Sequence, residues 1–408
     1  MEKQINTPKL RFPEFDGEWE SLKIGEVFSL KQRPMSKPKE FYKSIGIRSH
    51  FKGTFQRIDS DPLKNVMDVL YQVKENDLIV NITFAWEGAV AIASKADESG
   101  YVSHRFPTYE IDNSKANIDF FRFIYPTAKM KKELELISPG GAGRNRVLKK
   151  EEFLKINFCF PTLPEQTRIA NFLTAVDNKL TQLKKKKSLL EQYKKGVMQK
   201  LFSQELRFKD ERGNDFAEWE EKKLGEILNE HKTRNKNNKV KEVFSVAKNK
   251  GVINQIEHLG RSYASADTSN YKIVFPNDVI YTKSPTSDFP FGIIKQNKLD
   301  RKGIVSVLYG VFTPKNSHIG LLLDYYFSCW KNIYNYLNPL VQKGAKNTMN
   351  IGNEDFLNGA ELLLPSSEAE QIKIARFLVA IDDKICHCGV QIEKMERWKK
   401  GLSQKMFC

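Results

Sequence analysis

Two stretches place base-reading side chains beside small residues: GAGRNRVLKK from Gly141 and KGAKNTMN from Lys343. In the first, Arg144, Asn145, Arg146, Lys149 and Lys150 follow the glycines; in the second, Lys343, Lys346, Asn347 and Thr348 surround Gly344. Arg and Lys match the acceptors of guanine, Asn matches adenine, and the basic types also hold phosphate. Glycines let backbone amides come close to a phosphate. These types suit recognition of DNA rather than bond making. They also suit a solvated turn, and residue type alone does not separate the two; recurrence in both halves of an internal repeat favours function.

Further candidate DNA contacts stand beside expected strand ends or loops. They are Arg48, His50 and Lys52 in GIRSHFKG, Trp86 in FAWEG, His104 and Arg105 in SHRF, Lys248 and Lys250 in AKNKG, Arg261 in LGRSY, and Lys283 in YTKSP. Taken singly, each is more commonly an ordinary surface residue. Catalytic patterns are missing from the sequence. There is no GxxxxGK[ST] loop for a nucleotide phosphate and no Asn-Pro-Pro-aromatic signature of an adenine methyltransferase. GGAG at Gly140 lacks the preceding strand that a cofactor-binding turn needs. Glu230-His231-Lys232 matches the tail of a nuclease motif, without the Pro-Asp that should precede it. No catalytic residue and no cofactor are expected in this chain. The six histidines are dispersed, and Cys386-His387-Cys388 lacks a second pair at zinc-finger spacing. Cys388 falls on an apolar helical position, so packing is its expected role, and no metal site is expected. The five cysteines are scattered in a way that suits reduced thiols.

A chain of 408 residues exceeds one ordinary core, so two or more domains are expected. Its 66 Lys and Arg outweigh 50 Asp and Glu, a net charge of +16 that favours an anionic partner such as nucleic acid. No stretch approaches the length of a membrane-spanning apolar run, and the charged start MEKQINTPKLRFPEF lacks the apolar core of a secretion signal. A cytoplasmic protein with no membrane partner is expected.

The elements that must position these side chains come twice. YKKGVMQKLF from Tyr193 returns as WKKGLSQKMF from Trp398, and EQTRIANFLTAVDNKL from Glu165 returns as EQIKIARFLVAIDDKI from Glu370, with nine of sixteen positions identical. GAGRNRVLKKEEFL from Gly141 aligns with GAKNTMNIGNEDFL from Gly344. Each half also opens with LRF, at Leu10 and Leu206, and with a Trp six residues ahead of Gly-Glu, at Trp19 and Trp219. The middles resemble each other less. NDLIV from Asn76 and NDVIY from Asn277 predict an Asn-Asp turn entering a strand, and each middle is expected to be a mixed domain with a substantial sheet and no long helix.

The tails predict long helices. Ile169, Leu173, Val176, Leu180, Leu183 and Leu190 follow a spacing of three and four, as do Ile374, Leu378, Ile381, Ile385, Cys388, Ile392 and Met395. Lys187, Lys194 and Lys399 interrupt these seams, with stems expected on the seam and ammonium groups in water. Each helix is about 60 Å long if unbroken. Such a helix cannot bury its stripe against a small domain, so antiparallel pairing of the two within the chain is expected. The fold class is α+β: two mixed α/β domains joined by two long antiparallel coiled-coil helices, with pseudo-two-fold symmetry. The expected segments are 1–161, 162–204, 205–365 and 366–408. Two basic domains on a stiff connector act as a ruler on DNA, with half-sites about 10 base pairs apart. Unlike middles make an asymmetric split site.

These duplicated features, the Trp-x(5)-Gly-Glu openings, the Glu-Gln pairs before long helices, Ile-Ala-x-Phe-Leu-x-Ala-x-Asp and Lys-Lys-Gly, resemble the specificity subunit of a type I DNA restriction-modification system over essentially the whole chain. The resemblance implies two target recognition domains separated by conserved helical regions in a bacterial or archaeal protein. It further implies two methyltransferase subunits that methylate adenine N6 and two restriction subunits that cleave unmethylated DNA. S-adenosylmethionine belongs to the former, and ATP and magnesium to the latter. By resemblance, Glu165 to Leu180 and Glu370 to Ile385 dock the methyltransferase, with Phe172 and Phe377 as the contact residues. Here the second copy departs from the first, with Ser366-Ser367-Glu368-Ala369 in place of Thr162-Leu163-Pro164. A free-standing DNA-binding regulator, a purely structural coiled-coil protein and a fused methyltransferase-nuclease remain open as alternatives, the last requiring catalytic motifs that the chain lacks.

Overall fold

The computed structural model describes residues 7–140, 146–248, 250–283, 289–343 and 349–407. The chain forms two compact units: Met1–Lys184 with Val390–Cys408, and Lys185–Gly389. Both boundaries fall inside long helices, Leu163–Phe202 and Glu368–Lys405, so each helix contributes one part to each unit. Among the described residues no helix is long and apolar enough to cross a membrane.

The units share one frame. In the first, an antiparallel sheet runs in the order Phe28–Leu30, Thr108–Ile111, Leu78–Val80, Val90–Ile92. In the second the order is Leu228–Glu230, Tyr309–Pro314, Val279–Thr282, Ile293–Gln296. The strands after each Asn-Asp pair are buried throughout, which accounts for their unbroken apolar lettering. Asn76 and Asn277 take φ of 69° and 70°, a left-handed conformation that asparagine tolerates better than most residues. The next carboxylates then accept from the backbone, Asp77 Oδ2 from Lys74 N at 2.8 Å and Asp278 Oδ2 from Phe275 N at 2.7 Å. Burial pushes the Asp77 carboxyl up, outweighing the lowering by its Arg33 partner. His231 Nε2 lies 2.9 Å from Asp278 Oδ2, so the histidine of the nuclease-like tripeptide serves the frame.

A second layer in the first unit has five strands, in the order Pro34–Ser36, Val69–Gln72, Tyr101–Val102, Tyr42–Ile47, Thr54–Ser60. The second unit follows the same path in shorter pieces. Lys272–Val274 pairs with Gly303–Val305 and Phe244–Ala247 with Gly251–Asn254, and single bridges join Arg234 to Lys272 and Val243 to Ile304. Short helices, Ile118–Ile124 and Ala128–Leu136 in one unit and Ser317–Tyr326 and Trp330–Leu337 in the other, complete the cores.

Within each unit the two long helices run antiparallel. Ile169, Leu173 and Val176 share a core with Leu402 and Met406 in the first unit; Val197, Met198 and Leu201 share one with Ile374, Leu378 and Ile381 in the second. Cys388 is buried, as its seam position predicts. Two of the three seam lysines differ from expectation, while Lys187 stays partly exposed with Glu191 of its own helix at 4.0 Å. Lys194 Nζ meets Asp382 Oδ1 and Lys399 Nζ meets Asp177 Oδ1, each at 2.5 Å, so their ammonium groups end on the opposite helix rather than in water. A carboxylate within reach of the stem supplies the alternative to solvation.

The duplicated LRF and Glu-Gln motifs are two ends of one latch. Arg11 clasps the fully buried Glu165 through Nε and Nη2, both at 2.7 Å, and Arg207 reaches the fully buried Glu370 at 3.4 and 3.2 Å. The same guanidiniums donate to Asp16 O and Ala217 O. Gln166 and Gln371 donate to Pro161 O and Pro365 O, both at 2.8 Å, fixing each helix start to the strand before it. Removing one partner strands a buried charge, so Arg11→Ala and Arg207→Ala are each expected to cost about 3–5 kcal/mol. Urea unfolding measures this; a loss below about 1 kcal/mol would place the latch with ordinary surface pairs.

Candidate nucleic-acid interface

In the first unit three loops converge on Ile82. Its N–H donates to Arg105 O at 3.0 Å, and its carbonyl accepts from Leu148 N at 2.8 Å. The short 3-10 helix Ala85–Glu87, which carries Trp86, follows directly. Over it lies the hairpin turn at residues 48–53: His50 N donates to Glu87 O at 2.8 Å, Phe51 N to Gly88 O at 2.9 Å, and Ser49 Oγ to Glu87 Oε2 at 2.8 Å. This fit needs unusual backbone. His50, Phe51 and Gly88 have φ of 60°, 55° and 76°, and a Cβ on Gly88 would stand 3.1 Å from the Phe51 ring.

The loops bring His50, Trp86, Arg105 and Arg146 together. The Arg146 guanidinium lies 5.3 Å from the Trp86 ring centre, and Trp86 Nε1 is buried without a hydrogen-bond partner among the described residues. Arg48, Lys52, His104, Arg105 and Lys149 are exposed. Arg48 shares the Phe55 ring with Arg57, at 5.1 and 5.7 Å, and donates to Thr54 O. Arg57 escaped the sequence reading, although it stands two residues from Phe55 on a strand and therefore on the same face.

Asp97 pins this hairpin from behind. Its buried carboxylate accepts from Thr54 Oγ1 at 2.8 Å, Gln56 Nε2 at 2.7 Å, and both Ser94 N and Oγ at 2.8 and 2.7 Å. Burial raises its carboxyl, but these hydrogen bonds outweigh that effect and hold it below the usual carboxylate value.

The second unit presents different chemistry on the same frame. Lys248 and Lys250 flank the tip of the hairpin Phe244–Ala247/Gly251–Asn254. The Lys248 ammonium lies 5.3 Å from the Phe289 ring centre, and Lys250 Nζ is 3.0 Å from His258 Nε2. Arg261 stacks on its neighbour Tyr263 at 4.6 Å, and Tyr263 N donates to Gln255 Oε1, so Lys250 and Arg261 belong to one hairpin-helix segment. Lys283 ends the strand Val279–Thr282, half-buried, its ammonium pushed down by burial against the opposing pull of Glu230 and Asp355. Lys343 lies on a ladder with Met349. Arg144, Asn145, Lys346, Asn347 and Thr348 lie outside the described residues. Among the described residues no cluster of His, Cys, Asp or Glu could hold a metal ion.

Phe172 and Phe377 have neighbours of their own. Phe172 packs edge-on against Phe12 at 5.6 Å and Trp398 at 5.9 Å, and Phe377 against Phe208 at 5.3 Å; both are half-buried. The exposed apolar residues of the long helices are instead Leu189, Tyr193, Val390 and Trp398. Sequence periodicity gave no signal for these four, since they stand off the seam.

Comparison with known proteins follows the repeat. The family model described as the type I restriction modification DNA specificity domain matches twice, over residues 16–192 and 217–393. The type I restriction enzyme MjaVIII specificity subunit of Methanocaldococcus jannaschii is 28% identical over 228 residues, covering 54% of this chain and 50% of that protein. The matched region thus spans half the length of that relative. The crystal structure of a type I restriction-modification system S subunit from M. genitalium matches 98% of this chain and 99% of its own with a TM-score of 0.58; at 16% identity the likeness is one of fold.

Asp97 makes the hairpin's stability acid-sensitive. Because its folded carboxyl titrates below its unfolded value, the stability it adds is complete above about pH 4 and is lost as pH falls through the folded value. Asp97→Asn is expected to be less stable than the parent at pH 7, with the difference shrinking below about pH 4. Denaturant midpoints against pH check this; a difference independent of pH would assign the effect to shape alone.

Proposed function

The chain belongs to the type I restriction-modification DNA specificity domain family, and from that premise we propose that it is the DNA-reading subunit of a type I restriction-modification complex. The observation that carries this reading is one frame built twice with unlike basic loops. The first unit offers Arg48, His50, Arg105 and Arg146 with Trp86, and the second offers Lys248, Lys250, Arg261 and Lys283. Each unit reads one half of a bipartite site, and unlike surfaces make the site asymmetric. The long helices set the spacing between the halves.

The chain itself does no bond making in this proposal. Two methyltransferase subunits dock on the long helices and methylate adenine N6 with S-adenosylmethionine. Two restriction subunits, using ATP and magnesium, cleave DNA that lacks the mark. Exposed Leu189, Tyr193, Val390 and Trp398 support a docking role for the helices, alongside half-buried Phe172 and Phe377 as contact residues.

Methylome sequencing of cells expressing this chain with and without its methyltransferase partner tests the proposal. N6-methyladenine at one split, asymmetric motif is expected only when both chains are present. Methylation by this chain alone, or none with a partner shown to be active, would contradict it. DNA affinity of the complex is also expected to fall about 10³-fold or more between 50 and 200 mM salt if six or more phosphates are contacted. A flat response in a binding titration would remove the basic loops from the interface.

A further inference from the structure

We propose that Trp86 and Arg146 form a guanine-reading site in the first unit, with Trp86 as the platform and Arg146 as the residue that specifies the base. The inference rests on the DNA-reading function and adds to it one residue, one base and one half-site.

The arginines of the first unit differ in what they touch. Arg11, Arg33, Arg122 and Arg168 are paired with carboxylates, Arg48 donates to a carbonyl, and Arg57, Arg105 and Arg397 are exposed, Arg57 lying over the Phe55 ring. Arg146 has no acceptor or carboxylate partner among the described residues; it lies against the indole face of Trp86 and is half-buried. A cation held over a ring face is attracted through its charge and spends none of its N–H donors on the contact. The N–H fork of the guanidinium matches guanine O6 and N7 in the major groove, and its rigid planar geometry is what the flexible point charge of a lysine lacks at a stacked, two-point site.

The platform is held from several sides. The helix Ala85–Glu87 is capped by left-handed Gly88 and overlaid by the His50 turn, and Leu148, two residues after Arg146, is tied to Ile82. Such anchoring lowers the freedom Arg146 loses on binding, the condition for base discrimination rather than loose charge attraction. Trp86 is a positioning residue and does not itself identify the base. Exposed Arg105, whose carbonyl is bound to Ile82, stands on the adjoining loop, where its charge suits backbone phosphate.

The test is methylome sequencing of the whole chain, co-expressed with its methyltransferase partner, as the parent and as Arg146→Ala, Arg146→Lys, Trp86→Ala and Trp86→Phe. Circular dichroism checks that each folds. The parent motif is expected to contain a G·C pair in one half-site. Arg146→Ala and Arg146→Lys should both lower discrimination at that pair about 10-fold or more, leaving the other half-site and the spacer unchanged. Trp86→Ala should relax the same pair, and Trp86→Phe should retain it. If Arg146→Lys keeps the full motif while Arg146→Ala weakens methylation at all sites alike, Arg146 holds phosphate and the inference is overturned. An unaltered motif in both Arg146 variants overturns it too, with the functional reading intact. A parent chain that yields no split motif sinks that reading and this inference with it.

Discussion

A carboxylate sealed from water fixes the start of each long helix, and the frame around it depends on that contact. Glu165 and Glu370 are both fully buried, and each is met by the arginine of an LRF segment that opens its own unit. Exposed ion pairs such as Lys131–Glu135 contribute about 0–1 kcal/mol. A buried carboxylate deprived of its partner costs several times more. The latch therefore outranks the exposed ion pairs in deciding where the helix begins. It also ties three things together: the helix, the turn whose carbonyls the arginine binds, and the phenylalanine beside it, which packs on Phe172 or Phe377.

The frame and the loops obey different rules. Strands and seams are held by apolar burial, which is tolerant of letter changes and leaves two sheets with one strand order. The loops of the first unit are held by backbone hydrogen bonds to Ile82, Glu87 and Gly88 and by the Asp97 carboxylate, contacts that do not use the side chains of His50, Arg105 or Arg146. A recognition surface can then vary while its support stays fixed. The left-handed residues His50 and Phe51 concentrate the local strain at this surface.

The sequence made the helices legible because a spacing of three and four over many turns has no other common cause, and burial at Ile169, Leu173, Ile374 and Leu378 follows it. The Asn-Asp turns were legible for a similar reason, being local chemistry. The latch was visible only as repeated letters, since Arg11 and Glu165 lie 154 residues apart and single-chain spacing carries no information about such pairs. Trp86 and Arg146 stood out individually, but their stacking did not. Short helices such as Ile118–Ile124 were missed because FFRFI is apolar almost throughout, which short strands and short helices share. Seam spacing alone leaves the ammonium groups of Lys194 and Lys399 to water, whereas partners on the opposite helix, Asp382 and Asp177, claim them.

The central claim is that each unit reads its own half of one DNA site. The most direct measurement is amide hydrogen exchange of the chain in complex with its methyltransferase partner, with and without a duplex carrying the full motif. The expected result is protection at 48–53, 81–88 and 146–149 in the first unit and at 250–263 in the second. Scrambling one half-site should remove protection from one unit alone. Protection confined to the long helices, or lost from both units together whichever half is scrambled, would contradict the account.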